Sequence, residues 1–141
     1  MKNILIICTG NTCRSPMAQA LLKGMLAARS VQGIAVTAAG LAASCGGSVS
    51  AEAANVMAEM NIDITGYETH LVSRADLDNA DLVLCMTEQH KNLLAQNGVE
   101  EDKILILSVA DPFGKGEHEY LLCRDELIRA LKDRLPQITA Q

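Results

Sequence analysis

The sequence predicts an α/β domain built on a parallel sheet. Apolar runs at 2–8, 81–86 and 103–107 are continuous, as in strands covered on both faces. A further strand reads at 34–39. Stretches with helical apolar spacing separate these runs and follow the last one. Such alternation folds into one layered sheet through right-handed crossovers.

Each element has its own signal. KNILIIC at 2–8 is the first strand. The turn-rich CTGNTCRS follows, and Pro16 suits the first turn of a helix. Ala18, Leu21, Leu22, Met25 and Leu26 give that helix its apolar face. Gly40 closes the second strand, and the small, Gly-rich stretch 42–48 is expected to be a loop. Ser50 caps a helix running to about Met60, with Ala53, Met57 and Met60 inward. Ser73 and Asp76 have the spacing of a capping box for a short helix. Thr87 caps a helix to about Gln96. Asp111-Pro112-Phe113-Gly114 is a turn. The last helix is expected over 117–135, with Leu121, Ile128, Leu131 and Leu135 on one side.

The 141 residues suit one domain spanning 1–141, and a 49% hydrophobic fraction supplies its core. Aromatics are only 2%, so aliphatic side chains must fill the interior. A net charge of -5 argues against a general nucleic-acid or anionic-membrane surface. No apolar run approaches membrane-spanning length. The N-terminus lacks a leader pattern. Five scattered cysteines do not make an even disulfide framework, so free thiols in a reducing cytoplasm are expected.

Ligands of open parallel sheets bind beyond the carboxyl ends of the strands. Both the 8–15 segment and the Asp111 turn follow strands, so both belong at that edge. A tight loop leading into a helix presents inward N–H groups and the positive end of the helix dipole. Gly10 is expected to supply the unusual backbone angles of the curl. Arg14 offers a planar fork matched to phosphate oxygens. Cys8 at the base of this cradle would be held as a thiolate and act as a nucleophile. Thr9, Gly10, Asn11, Thr12, Cys13 and Ser15 complete the cradle, and Ser15 could donate a hydrogen bond to the Cys8 sulfur. Asp111 can protonate a leaving group and then deprotonate water.

C-T-G-N-T-C-R-S-P-M-A at 8–18 closely resembles the signature of the low-molecular-weight protein tyrosine phosphatases. The resemblance extends through L-V-L-C-M-T-E-Q-H-K at 82–91 and D-P-F-G at 111–114, and covers nearly the whole chain. It implies a three-layer domain with a four-stranded parallel sheet flanked by helices. It also implies a phosphocysteine intermediate, phosphorylated protein substrates, and neither metal nor cofactor. Cys8 would be the nucleophile, Arg14 the phosphate binder and Asp111 the general acid.

Two departures mark this chain. Ala38 stands where relatives often carry Ser, and Tyr67 falls near an expected His, which suggests a thinner or differently built support for the loop. Thr12 replaces the aliphatic residue of tyrosine-directed members. With D-P-F-G it resembles a bacterial branch that dephosphorylates phosphoarginine. Cys13 could pair with Cys8 on oxidation. Cys45, Cys85 and Cys123 read as bystanders. His70, His90 and His118 read as surface or helix-capping residues without metal-ligand spacing. The charges from Arg124 to Arg134 read as a solvated helix face. The competing functions are an arsenate reductase of the same fold, which needs a further cysteine pair, and a non-catalytic phosphoprotein-binding module, which needs neither Cys8 nor Asp111.

Overall fold

A computed structural model describes residues 1–140. Its sheet has four parallel strands in the order β2-β1-β3-β4. These are β1 (Lys2–Cys8), β2 (Ile34–Gly40), β3 (Leu82–Cys85) and β4 (Ile104–Ile106). β1 is central, pairing Cys8 with Gly40 of β2 and Ile7 with Cys85 of β3. Helices α1 (Arg14–Ala28), α2 (Ala51–Ala58), α3 (Arg74–Asn79), α4 (Glu88–Gln96) and α5 (Glu117–Thr139) complete the chain, with a 3₁₀ turn at Glu101–Lys103.

Successive β1 side chains serve opposite cores. Ile4, Ile6 and Cys8 join the core with α1, α2 and α5. Leu5 and Ile7 join Val83, Cys85 and Leu94 on the α4 side. Both faces being covered is why 2–8 reads as an unbroken apolar run.

The helix ends follow local chemistry. Ser50 Oγ accepts the Ala53 N–H, Thr87 Oγ1 accepts the His90 N–H, and Ser73 with Asp76 forms the expected capping box. Helix α2 stops at Ala58, so Met60 falls beyond it and is 41% exposed rather than inward.

The last helix departs further from expectation. It runs through Pro136 to Thr139. Pro136 forfeits a bond only to the exposed Lys132, whereas continuing the helix buries Leu135 and Ile138. Its buried face is Tyr120, Cys123, Leu127, Leu131, Leu135 and Ile138, with Leu121 and Ile128 at the margin. Nor are all its charges solvated. Arg124 is largely covered and donates from Nη1 to Val56 O at 2.9 Å. No helix among the described residues is long and apolar enough to cross a membrane.

Candidate active site

The loop after β1 is held from outside by its carbonyls. Leu41 N–H donates to Cys8 O, Ala42 N–H to Thr9 O and Ser50 N–H to Thr12 O, each at 2.9 Å. Turning these oxygens outward leaves N–H groups to line the inside of the curl. Cys13 stands at the N-cap of α1 without a side-chain cap, so the first-turn N–H groups keep their capacity for an anion.

The left-handed residue of the loop is Asn11, at φ 60°, not Gly10. This corrects the role expected for Gly10, where an added Cβ would meet only Thr12 Oγ1 at 3.7 Å. A non-glycine residue holds such a conformation when its side chain is well anchored. Asn11 is fully buried. Its Oδ1 accepts the Tyr67 hydroxyl at 2.8 Å and the His70 N–H at 2.7 Å. A backbone N–H can only donate, so the amide oxygen must face His70. Nδ2 therefore faces Ser15 Oγ, donating at 2.7 Å. Ser15 Oγ, having accepted that bond, can donate its own proton to Cys8 Sγ, 2.9 Å away. The Asn11 N–H also donates to this sulfur, at 3.2 Å. The support is thus built around Tyr67, which also reaches Ala38 O at 3.2 Å. Burial raises the Tyr67 phenol above its usual range, which keeps it a donor.

Gly40 is the tight point behind the loop. A Cβ there would lie 2.7 Å from Thr9 O, 2.8 Å from Ala43 Cβ and 3.0 Å from Asn11 Cβ.

Arg14 is 3% exposed. Nη1 donates to Val109 O at 3.0 Å, and Nη2 lies 3.7 Å from Asp111 Oδ2. Nε is buried with no partner among the described residues. A buried guanidinium N–H without an acceptor is costly, and a phosphoryl oxygen at the cradle mouth would satisfy it. Asp111 is half exposed, and its Oδ1 accepts the Phe113 N–H at 3.1 Å in a turn that aims the carboxyl group across the cleft. Cys13 Sγ lies 3.9 Å from the same Oδ1. Burial first, then the charges of Cys8 and Asp111, push the Cys13 thiol up to about 12.

Cys8, Arg14 and Asp111 all line one cleft of about 410 Å³, together with every loop residue from Thr9 to Cys13. Its outer wall is small and polar at Ala42, Ser44, Gly47, Ser48 and Thr69. Thr69 Oγ1 accepts the Gly47 N–H at 2.8 Å and donates to Ser44 O, fixing this wall. Phe113 is the one aromatic in the lining and is 71% exposed.

Among the described residues no group of three His, Cys, Asp or Glu side chains is placed to hold a metal ion. All five cysteines are free. Burial pushes the Cys85 thiol up to about 11 and the Cys123 thiol to about 12.

The residue that sequence reasoning missed is His90. It is 5% exposed rather than on the surface, and its ring contacts Thr9 of the loop at 2.9 Å. Its place three residues beyond the cap of a helix that follows a central strand could have indicated this.

The family model described as low molecular weight phosphotyrosine protein phosphatase matches residues 3–141. The chain is 38% identical over 146 residues to a protein-arginine-phosphatase of Bacillus subtilis (strain 168), with 96% of each chain covered. A Cys-to-Ser mutant of the arginine phosphatase YwlE, solved with its active-site serine phosphorylated, superposes with a TM-score of 0.91 at 34% identity, covering 99% of this chain and 97% of that one. An arsenate reductase of Bacillus cereus is 32% identical over 132 residues, covering 93% of this chain and 92% of the relative. The chain belongs to the low-molecular-weight protein tyrosine phosphatase family, close to its bacterial protein-arginine-phosphatase branch.

Proposed function

We propose that this chain is a protein phosphatase working through a phosphocysteine, with Cys8 as nucleophile, Arg14 as phosphate binder and Asp111 as general acid and base. The observation that carries the reading is Cys8 Sγ at the base of the cradle, facing two donors, beside a buried Arg14 whose Nε lacks a partner. The Cys8 thiolate attacks phosphorus. The S–P bond forms as the bond to the leaving group breaks, and the leaving group takes its proton from Asp111. Water then attacks phosphorus while Asp111 accepts its proton. Inorganic phosphate departs and the thiolate returns, with Ser15 donating to the departing sulfur. N–H groups of the loop and Arg14 stabilise the charge on the transferring phosphoryl group.

The substrate we propose is a phosphoarginine side chain of a protein. A phosphotyrosine ring gains from aromatic walls, and here the lining offers only the exposed Phe113. A phosphoguanidinium group brings N–H donors that need oxygen acceptors. Thr12, on the cleft wall, supplies one where tyrosine-directed relatives supply carbon. The similarity to arginine phosphatases supports the same choice. Arsenate reduction is the weaker reading, because Cys85 is buried in β3 with its thiol pushed up and no cysteine neighbours it in sequence.

Turnover of phosphoarginine, phosphotyrosine and phosphoserine peptides tests this reading. Cys8→Ser is expected to abolish turnover of p-nitrophenyl phosphate while retaining vanadate binding. Asp111→Asn is expected to slow poor leaving groups more than p-nitrophenolate. Thr12→Ile is expected to move the kcat/KM ratio toward phosphotyrosine by on the order of tenfold. Substantial turnover by Cys8→Ser would sink the covalent mechanism. An unchanged ratio in Thr12→Ile would sink the substrate assignment.

A further inference from the structure

We infer that His90 is a positioning residue that fixes the polarity of the Thr9 hydroxyl, turning it into a hydrogen-bond donor toward the bound phosphoryl group. The inference rests on the phosphatase reading and adds a residue and a donor to it.

The geometry starts in the sheet. Met86, directly after β3, is fully buried, and its backbone N–H must find an acceptor. It donates to His90 Nδ1 at 3.3 Å. A ring nitrogen that accepts a proton donor carries none itself. In the neutral ring the proton is therefore on Nε2. Nε2 lies 2.9 Å from Thr9 Oγ1. Nε2 donates, so Thr9 Oγ1 accepts. The hydroxyl hydrogen of Thr9 is not used in this bond and remains free for another acceptor. Thr9 lines the cleft beside Cys8, and its own carbonyl is pinned by Ala42. An anionic oxygen in the cleft is the acceptor this arrangement suits.

The ring has no competing task in helix α4. Capping there uses the backbone N–H of His90 and the side chain of Thr87. Any residue could serve that purpose. What the side chain supplies is a bridge between the end of β3 and the first residue of the loop. It accepts at one end and donates at the other. Without it, the Thr9 hydroxyl could rotate and present either a lone pair or a proton to the phosphoryl group.

The experiment measures competitive inhibition of p-nitrophenyl phosphate turnover by inorganic phosphate and by vanadate. Thr9→Val is expected to raise the phosphate inhibition constant by about tenfold, the scale of one hydrogen bond to a charged acceptor. Thr9→Ser should restore it. His90→Leu should match Thr9→Val, and the double variant should be no worse than either single one. His90→Gln, whose Nε2 can reach Thr9, should recover most of the loss. Nitrogen-detected NMR of the parent should show the Nε2–H tautomer of His90 at neutral pH. The inference is overturned by an unchanged inhibition constant in Thr9→Val, by additive losses in the double variant, or by the Nδ1–H tautomer. Should His90→Leu fail to fold, the Thr9 pair and the NMR spectrum still decide the matter, since Thr9 is exposed and exposed substitutions usually cost little stability. A parent protein that phosphate and vanadate do not inhibit would instead overturn the phosphatase reading, and no variant is needed to see that.

Discussion

Replacing Tyr67 by Phe removes one hydroxyl and leaves the ring in place. That hydroxyl donates to Asn11 Oδ1 at 2.8 Å, with Ala38 O more distant at 3.2 Å. One proton cannot serve both well, so the shorter bond dominates. Asn11 Oδ1 keeps the His70 N–H at 2.7 Å, so no acceptor is orphaned. The expected cost is therefore one ordinary buried hydrogen bond, about 1 kcal/mol. For a chain of this length that corresponds to a Tm lower by about 3–5 °C. Activity should fall as well, because Asn11 orients Ser15 and Ser15 contacts Cys8. A loss of roughly 3–10-fold in kcat/KM matches a partly loosened loop. Urea unfolding of the parent, Tyr67→Phe, Asn11→Ala and the double variant gives the coupling energy, expected at about 1 kcal/mol. A coupling within ~0.3 kcal/mol of zero would show that Tyr67 does not act through Asn11 and would refute the argument.

Three further outcomes follow from particular contacts. Gly40→Ala places a Cβ against Thr9 O, Ala43 Cβ and Asn11 Cβ, so it should cost about 1–3 kcal/mol in urea unfolding and reduce turnover. Peroxide should convert Cys8 to a sulfenic acid, which condenses with the Cys13 thiol to a disulfide and water. Dithiothreitol should then restore activity in the parent but less in Cys13→Ala, where a second peroxide takes the unprotected sulfenic acid to the irreversible sulfinic acid. Because the Cys13 thiol is pushed up to about 12, closure should quicken as pH rises above neutrality. His90 is held down to about 4 by burial and, secondarily, by Arg14, while Asp111 opposes. Unfolded chains bind this proton from about pH 6.5 downward, so the contribution is complete above that value and is lost as pH falls toward 4. The loss should reach about 2 kcal/mol by pH 5, read as a lower urea midpoint, and His90→Gln should flatten it.

Much of this protein was legible from local chemistry. A strand covered on both faces shows as an unbroken apolar run, so 2–8 declared itself. Caps at Ser50, Ser73 and Thr87 act within one helical turn, and all three formed as their spacing required. The cradle was legible for the same reason: Cys8 to Arg14 are neighbours in sequence, and the strand-loop-helix setting gathers them around one cleft. Asp111 could be added because strand ends in a parallel sheet share one edge.

What tertiary structure decided were the contacts made across the chain. Nothing local to Tyr67 or His70 says that both meet Asn11, because those bonds span 56 and 59 residues. Helix α5 continues through Pro136 because distant strands and helices bury Leu135 and Ile138, which outweighs a local preference to stop. Gly10 looked like the flexible residue of the loop. Asn11 took the left-handed position instead, because a side chain anchored by remote donors can offset a backbone penalty that glycine avoids. His90 looked like a capping residue for the same reason in reverse. Its backbone N–H is capped by Thr87, but the ring's partners are 81 residues away at Thr9 and across the end of β3 at Met86. Short-range signals specify elements and the residues of one loop. Which buried polar groups satisfy one another is settled only when the layers pack.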